Sequence, residues 1–358
     1  MNIISPINQL GYGLAGFNIV KELATQEPES TALWVIGQPH VTNQQDADTI
    51  SMCLKNALIP DFNAPCIRIW HQHDMSQFVG RGEKIGFPFF ELDEFSDIEK
   101  YHLNSLDRMF VTSGWAKEVA LNNLSLPSDK INIVPLGVDT SLFSGNKKPS
   151  SKNTIFFNCG KWEIRKGHDV LCDIFNEAFD KDDNVELWLM TNNPFLTESQ
   201  DQEWKNLYLN SKLGSKIKFV DRVDTQKEVY NIMEETDCGI FPSRAEGWNL
   251  ELLEMMACGK HVITTNCSAH KEFCNTSNAL LVNAPDTEIA YDGKWFHGKL
   301  GSWAKISQEQ ITSFAEHMRE IHSAKQDNSL GINSEGLETA RQFSWRNTAQ
   351  KIREYIYV

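Results

Sequence analysis

Short apolar segments alternate with predicted helices along the chain, and the alternation is interrupted once, near residue 150. Apolar strands are predicted at 2–7, 32–36, 67–70, 108–112 and 131–134, then at 154–158, 185–190, 217–220 and 238–241. Strands that alternate with helices in this way indicate βαβ units, whose strands pair in parallel sheets. The polar segment 145–152 contains Gly, Pro and Ser and predicts a linker. The sequence therefore predicts two Rossmann-like α/β domains facing a cleft, at 1–148 and 149–345.

The charge and the cysteine content argue against several classes of protein. The 358 residues carry a formal net charge of −14, whereas a broad nucleic-acid surface needs clustered Lys and Arg. The eight cysteines form no CxxC pair, which favours reduced core thiols. The first residues lack the basic and apolar regions of a secretory signal, and no run approaches the ~20 apolar residues of a membrane span. We therefore expect a cytoplasmic protein without tight membrane insertion.

Segment 241–259 contains the most informative side chains. It predicts the end of a buried strand, then a loop with Glu246, then a helix that begins near Asn249–Leu250 and has Glu254 two turns inside it. Carboxylates accept hydrogen bonds from sugar hydroxyls, and the free N–H groups of a helix start attract phosphate. The segment therefore suits a ligand that has both hydroxyls and phosphates. Because Gln keeps the volume of Glu, both Glu246→Gln and Glu254→Gln are expected to fold normally.

This segment also resembles a known family. The pattern Pro-Ser-x-x-Glu-Gly-x-x-Leu-x-x-x-Glu-x-x-Ala-x-Gly at 242–259 is similar to the nucleotide-sugar site of retaining glycosyltransferases of family 4, which have the GT-B fold. Segments 111–117 and 134–143 resemble parts of the family's N-terminal domain. Segment 343–349 resembles the start of the C-terminal segment that crosses back to that domain, here as a helix at 346–358.

The loop at 159–167 resembles the family's Gly-Arg-x-x-x-x-Lys-Gly sequence. The resemblance implies that its two basic residues hold the donor's pyrophosphate. Here they are Lys161 and Lys166, so the first position has Lys instead of Arg. Lysine keeps the charge but lacks the planar fork of arginine. Arg165 adjoins Lys166 and could compensate for that loss.

The resemblance implies a role for each matched position. Glu254 would hold the donor ribose, Glu246 would orient the donor sugar, and the backbone at Val223 would bracket the base. The predicted donor-binding residues are Gly13, Lys161, Lys166, Val223, Gly247, Trp248, Asn249, Leu250 and Glu254, and the predicted catalytic residues are Glu246 and His73.

The glycines Gly11, Gly13 and Gly16 follow the first strand and predict a loop that opens a helix. Their spacing also matches the dinucleotide fingerprint, which indicates a nicotinamide-dependent oxidoreductase as an alternative. That fingerprint needs an acidic residue at the end of the second strand, and segment 32–39 contains none. In the family that the chain resembles, a glycine-rich loop at this place faces the cleft. Tight strand–helix packing is the other explanation, and it accounts for Gly16 better than for Gly13.

His71 and His73 follow a predicted buried strand, where alternate residues point the same way. A two-histidine metal site lacks a third ligand at a useful spacing, and no Asp-x-Asp motif is present, so no metal is predicted. The resemblance places His73 near the reacting sugar. Segment 80–95 is rich in glycine, aromatic and acidic residues, and it suits either an acceptor sugar or a packed loop.

These observations predict a glycosyltransferase of the hexosyltransferase type. It would move a sugar from a nucleoside-diphosphate sugar, with UDP or GDP, to an acceptor hydroxyl, with retention of configuration and without a metal or other cofactor. The acceptor would be a glycan, a lipid-linked sugar or a small molecule. A hydroxymethylated base in DNA is an alternative acceptor that the acidic charge disfavours. A catalytically silent sugar-nucleotide-binding protein is the remaining alternative.

Overall fold

A computed structural model describes residues 1–145 and 151–357, and the chain divides into two compact units. One unit is bounded by Met1–Val138 with Gln342–Val358, and the other by Asp139–Arg341. The domain boundary predicted between residues 148 and 149 lies outside the described residues, as does the last residue of the helix predicted at 346–358. Each unit contains one parallel sheet, so the prediction of two Rossmann-like α/β domains is confirmed.

The N-terminal unit is built on a sheet whose strands all pair in parallel. Its strands are β1 (Asn2–Ser5), β2 (Ala32–Val35), β3 (Cys66–Arg68), β4 (Lys84–Gly86), β5 (Arg108–Val111) and β6 (Ile131–Ile133), in the spatial order β2-β1-β3-β4-β5-β6. Its helices are α1 (Gly11–Gln26), α2 (Gln44–Asn56), α3 (Asp97–Asn104), α4 (Gly114–Asn123) and α12 (Trp345–Tyr357). A parallel sheet is buried on both faces, which explains why its strands read as apolar runs.

Helix α1 begins at Gly11, so the prediction of a glycine loop before the helix is wrong. Gly13 and Gly16 lie inside the first turns of α1. A Cβ atom at Gly13 would lie 2.2 Å from Asn8 Oδ1, and one at Gly16 would lie 1.9 Å from Ser5 Oγ. Close packing of α1 against the end of β1 therefore explains both glycines.

The end of the chain returns to the N-terminal unit and packs α12 beside α1. The backbone N–H of Val138 donates to the carbonyl of Phe343 at 3.0 Å. Thr348 Oγ1 donates to the carbonyl of Pro135 at 2.8 Å. A Cβ atom at Gly137 would lie 2.2 Å from the backbone nitrogen of Trp345, so this crossing needs a glycine at residue 137.

The C-terminal unit contains a second parallel sheet and an antiparallel hairpin. The sheet strands are β7 (Thr154–Cys159), β8 (Val185–Met190), β9 (Ile217–Phe219), β10 (Cys238–Phe241), β11 (His261–Thr265) and β12 (Leu280–Val282), in the order β12-β11-β10-β7-β8-β9, and the hairpin strands are β13 (Thr287–Tyr291) and β14 (His297–Ala304). Its helices are α5 (His168–Ala178), α6 (Glu198–Leu209), α7 (Gln226–Glu234), α8 (Leu250–Ala257), α9 (His270–Phe273), α10 (Gln308–Gln326) and α11 (Ser334–Gln342).

The strand order of this unit determines which loops can meet. Strands β7, β10 and β11 are neighbours and run in parallel, so their carboxyl ends share one edge of the sheet. The loops at 160–167, 242–249 and 266–269 leave that edge. Ligands of open α/β sheets bind at the carboxyl ends of the strands, so this edge is the candidate ligand-binding region of the unit.

The described residues bear on three further expectations. No helix among them is long and apolar enough to cross a membrane. No group of three or more His, Cys, Asp or Glu side chains in ranges 1–145 and 151–357 could hold a metal ion. All eight cysteines are described and are free thiols, and all of them except the half-buried Cys159 are buried.

Candidate functional site

Glu246 lies at the centre of a buried group of charges at the carboxyl edge of the second sheet. Its carboxylate accepts hydrogen bonds from Arg165 Nη1 at 2.8 Å, Lys166 Nζ at 3.0 Å and Ser243 Oγ at 2.9 Å. Its backbone N–H donates to Ser268 Oγ at 2.8 Å. Burial raises the pKa of this carboxyl, but Arg165 and Lys166 outweigh burial and hold the pKa far below its usual value. Glu246 is therefore a fixed negative charge.

The group of charges continues through Arg165 to a second carboxylate. Glu163 Oε2 accepts from Arg165 Nη2 at 2.7 Å, and Glu163 Oε1 pairs with Lys161 Nζ at 3.1 Å. The Lys161 side chain is 35 % exposed, whereas the Lys166 side chain is 11 % exposed. Each lysine thus has a carboxylate partner, and Arg165 connects the two carboxylates. We refer to Lys161, Glu163, Arg165, Lys166 and Glu246 as the charge network.

Gly167 allows the two loops that carry the charge network to meet. Its φ is +76°, a left-handed conformation that favours glycine, and a Cβ atom there would lie 2.0 Å from the carbonyl oxygen of Pro242. Next to this contact, the backbone N–H of Arg244 donates to the carbonyl of Arg165 at 2.7 Å. Arg244 also forms a bidentate pair with Asp169 in the first turn of α5, at 2.7 and 2.8 Å. These contacts hold the loop after β7 against the loop after β10.

Helix α8 begins where predicted, after Asn249. The Asn249 side chain accepts from the backbone N–H of Leu252 at 3.2 Å, which leaves its Nδ2 group to donate to His270 Nε2 at 3.0 Å. His270 Nδ1 then donates to the carbonyl of Thr265 at 2.9 Å. Burial lowers the pKa of His270, consistent with this neutral tautomer. The start of α8 is therefore held in place from the loop after β11.

Glu254 is the fifth residue of α8, so it lies one turn inside the helix instead of the two turns predicted. Its side chain is buried, and no ion pair reaches it within residues 1–145 and 151–357. Burial, with a smaller contribution from Glu251, raises the pKa of Glu254 to about 8. The two predicted glutamates therefore differ: Glu246 is ion-paired and charged, whereas Glu254 has no cation partner and holds its proton at neutral pH.

This difference predicts an unusual pH dependence of stability. A carboxyl whose folded pKa exceeds its unfolded value binds more protons in the folded state, so the free energy of unfolding falls as pH rises between about 4.3 and 8. We expect Glu254→Gln to be stabilised relative to wild type at pH 8 and to match it near pH 4, with a difference that grows by up to ~1.4 kcal/mol per pH unit. Urea titrations of both proteins at several pH values measure this. A difference that stays constant with pH would contradict the buried, unpaired carboxyl.

The other predicted residues of the C-terminal unit have different surroundings. Trp248 is buried, with its ring centroid 4.8 Å from that of Phe273. Gly247 is buried, and Leu250 is the first residue of α8. Val223 is half-buried in the separate loop between β9 and α7.

The remaining two predicted residues, Gly13 and His73, belong to the N-terminal unit. His73 is exposed, and its ring stacks on that of His71 with centroids 5.4 Å apart. The backbone N–H of Asp74 donates to the carbonyl of His71 at 3.0 Å, so this segment is a turn. The predicted strand at 67–70 is therefore too long, and β3 ends at Arg68. The two histidines lie side by side through the turn and not through strand alternation.

Sequence reasoning missed several members of the site. Arg165 was expected only to compensate for Lys161, yet it bonds directly to Glu246. Ser268 and His270 were not predicted, because no local pattern connects them to a loop more than 20 residues earlier. Ser243 and Glu163 stand within the quoted motifs, and their polar side chains in buried loops are the signal that could have identified them.

Comparison with known proteins finds a family model that is similar to this part of the chain. Residues 152–292 match the family described as Glycosyl transferases group 1, and this range contains the whole charge network and Glu254. A protein described as the O-antigen biosynthesis glycosyltransferase WclY of Escherichia coli is 28% identical over 149 residues. The match covers 39% of this chain, and the chain spans only 39% of the length of that relative.

Solved structures of similar fold cover nearly the whole chain. Anabaena HepE in complex with UDP and glucose has a TM-score of 0.68 at 15% identity and covers 99% of this chain and 98% of its own. The sucrose-phosphate synthase of Thermosynechococcus elongatus has a TM-score of 0.70 at 14% identity. The match covers 99% of this chain and 97% of the synthase chain. The match confirms the predicted GT-B fold.

Proposed function

We propose that this protein transfers a glycosyl group from a nucleoside-diphosphate sugar to an acceptor hydroxyl, with retention of configuration and without a divalent metal. The observation that carries the proposal is the buried contact of Lys166 and Arg165 with Glu246 beside the start of α8. This arrangement puts cations, helix N–H groups and a fixed carboxylate at the carboxyl edge of the second sheet, inside the range that matches the glycosyltransferase family.

The leaving diphosphate is the charge that such a site has to stabilise. Lys166 donates one of its three N–H groups to Glu246. The other two N–H groups can donate to phosphate oxygens without loss of the ion pair. Lys161 lies on the same loop and is more exposed. The N–H groups at the start of α8 add the positive end of the helix dipole. Cations and dipoles that are held in place before the reaction stabilise developing charge without rearrangement.

The contacts of Glu246 suit orientation of the donor sugar better than nucleophilic attack. Oε1 accepts two hydrogen bonds, from Lys166 and Ser243, whereas Oε2 accepts one, from Arg165. Oε2 therefore keeps a lone pair that can accept from a sugar hydroxyl. A carboxylate held by two cations is a weak nucleophile. We infer a front-face displacement: the sugar–phosphate bond breaks as the acceptor oxygen bonds to the same face of the sugar, and the diphosphate takes the acceptor's proton.

Glu254 is proposed to bind the ribose of the donor, and His73 and Gly13 to lie near the donor in the productive complex. Ribose is remote from the reacting carbon, so Glu254→Gln removes binding that the ground state and the transition state share. We expect KM for the donor to rise while kcat changes little. Steady-state kinetics at pH 7 measure both constants. A fall in kcat with an unchanged KM would show that Glu254 acts at the reacting sugar instead.

The basic residues of the charge network are proposed to take the place of a metal ion at the diphosphate. We expect activity to persist in excess EDTA after removal of divalent ions by gel filtration. A matched reaction with added Mg²⁺ or Mn²⁺ is the control. Complete loss of transfer in EDTA that manganese or magnesium restores would contradict the proposal.

The identity of the donor and acceptor is best approached by binding first. HepE was solved with UDP and glucose, so UDP-glucose is the first donor to test, followed by other UDP and GDP sugars. A ligand that binds only the folded state raises the melting temperature by mass action. The donor that gives the largest shift is then incubated with glycan, lipid-linked and small-molecule acceptors, and NMR of the product reports the anomeric configuration. No shift with any sugar nucleotide, and no donor hydrolysis, would overturn the proposal.

A further inference from the structure

A pocket lies on the C-terminal unit between α6, the loop at 162–164 and the turn of the β13–β14 hairpin. Its volume is about 370 Å³, in the lower part of the ~300–1,000 Å³ typical of small-molecule sites. Its aromatic residues are Trp162, Trp204 and Trp295, and its charged residues include Glu163, Glu203, Asp292 and Lys294. We call it the hairpin pocket. Glu163 is the one member of the charge network that lines the hairpin pocket.

The aromatic walls of the hairpin pocket are held in place before any ligand binds. Trp162 and Trp204 stack with their planes 1° apart and their centroids 5.4 Å apart, and Trp162 Nε1 donates to Asp201 Oδ1 at 3.1 Å. Trp204 is half-buried, so part of its surface is open to the pocket. Trp295 on the opposite side is 50 % exposed, which is unusual for so large an apolar side chain.

Trp295 is exposed on a rigid turn and not on a loose loop. Asp292 Oδ1 accepts from the backbone N–H groups of Lys294, Trp295 and Phe296, at 2.8, 2.7 and 2.8 Å. The Lys294 ammonium group donates to the carbonyl of Phe195, which ties this turn to the loop after β8. The ring of Phe195 meets that of Trp295 edge-on at 5.9 Å. The exposed indole is therefore positioned in advance, which reduces the entropy lost on binding a ligand.

The polar groups of the pocket match hydroxyl-rich ligands. Glu203 and Gln200 lie on α6 beside Trp204, and their oxygens can accept hydrogen bonds. Lys294 and the indole N–H of Trp295 can donate. Sugar rings present C–H groups on a face and hydroxyls at the edge, and the negative face of an indole attracts the slightly positive C–H groups. A docking groove for protein would instead have few charged residues at its centre.

We propose that the hairpin pocket is a saccharide-binding site, in which Trp295 and Trp204 contact sugar rings and Glu203 accepts hydrogen bonds from their hydroxyls. The ligand class is a neutral hexose oligosaccharide. Such a site would retain a glycan chain on the C-terminal unit independently of any nucleotide. Its binding does not depend on the proposed transfer reaction, so each can fail without the other.

Calorimetric titration of the full chain, without nucleotide, tests the site with maltohexaose and cellohexaose as α- and β-linked hexose chains. We expect saturable binding of at least one of them. Trp295→Ala should weaken that binding about tenfold, the loss expected for one aromatic contact. Glu203→Gln should weaken it to a lesser extent. Tyr101→Ala is the matched control, because Tyr101 is an exposed aromatic residue of α3 in the N-terminal unit, and it should bind like wild type.

The melting temperature of Trp295→Ala checks that the variant is folded, and we expect it to be close to that of wild type because the indole is half exposed. Two results would overturn the proposal. One is the absence of binding to either oligosaccharide at millimolar concentration. The other is binding that Trp295→Ala leaves unchanged, which would locate the sugar elsewhere. A competing explanation is that the pocket is a contact between copies of this chain. Sedimentation of wild type and Trp295→Ala tests it, because self-association that Trp295→Ala abolishes, in the absence of sugar binding, would make the pocket a protein contact.

Discussion

Glu246→Gln is expected to lower the free energy of unfolding by about 3 kcal/mol and to reduce kcat strongly. The substitution leaves Arg165 and Lys166 buried without the charge that they share, and removal of one partner from a buried ion pair typically costs about 3–5 kcal/mol. Arg165 keeps Glu163 as a partner, which places the effect at the lower end of that range. The structure thus revises the expectation from sequence that this variant would fold like wild type.

The matched control for Glu246→Gln is Glu288→Gln. Glu288 also accepts from an arginine, Arg244 Nε at 3.1 Å, but its side chain is 39 % exposed. Partly exposed pairs contribute about 1 kcal/mol or less, so this variant should stay close to wild type in stability and activity. Urea denaturation measures the two stabilities, and initial rates at saturating donor measure kcat. Equal stabilities of the two variants would show that Glu246 is not the centre of a buried charge network.

The pH dependence provides a second test of Glu246. Its folded pKa lies far below the unfolded value near 4.3, so its contribution to stability is complete above that pH and is lost progressively as the pH falls. Glu254 has the opposite sign, because its pKa is raised to about 8. The difference in the free energy of unfolding between wild type and Glu246→Gln should therefore shrink as the pH falls below 4.3. The corresponding difference between wild type and Glu254→Gln should change between pH 4.3 and 8 instead.

The accuracy of the sequence predictions differs between the elements. Most strands of the two sheets were recognised as apolar runs, with the correct bounds for β8 and β10, whereas the buried strand β11 and the short strand β12 were not predicted. The β13–β14 hairpin was missed because few of its residues are buried and their polarity is mixed. Strand β4 was missed because it consists of three residues within a glycine-rich segment.

The site could be predicted in part for a similar reason. The spacing of Glu246 and Glu254 and the start of α8 are local properties, so a sequence pattern shows them. The contacts of Glu246 with Arg165 and Lys166 join residues about 80 positions apart, and they exist because β10 pairs with β7. No local pattern specifies that strand order. The sequence pattern therefore singled out Glu246, Lys166 and Arg165 separately, but it did not show that the three form one buried ionic unit.

Lys166→Ala is expected to reduce kcat/KM for the donor by roughly 10- to 150-fold. Lys166 is the buried cation whose remaining N–H groups are proposed to meet the diphosphate, and a hydrogen bond to a charged group contributes ~1.5–3 kcal/mol. Lys166→Met is the companion variant, because it keeps the apolar stem that packs against Gly160 and removes only the ammonium group. Lys161 is more exposed and pairs with Glu163, so Lys161→Ala should lower kcat/KM less than either Lys166 variant.

The comparison of these variants separates phosphate binding from support of Glu246. If Lys166 acts on the diphosphate, Lys166→Met should lose activity as Lys166→Ala does and should bind UDP more weakly in calorimetry. If Lys166 only holds Glu246, then Lys166→Met combined with Glu246→Gln should lose no more activity than Glu246→Gln alone, because two residues that act through one contact are not additive. Activity of Lys166→Ala within twofold of wild type at sub-saturating donor would remove Lys166 from the phosphate site altogether. The start of α8 and Lys161 would then be the groups left in this unit to stabilise the leaving diphosphate, and Glu246 would retain Arg165 as its buried partner.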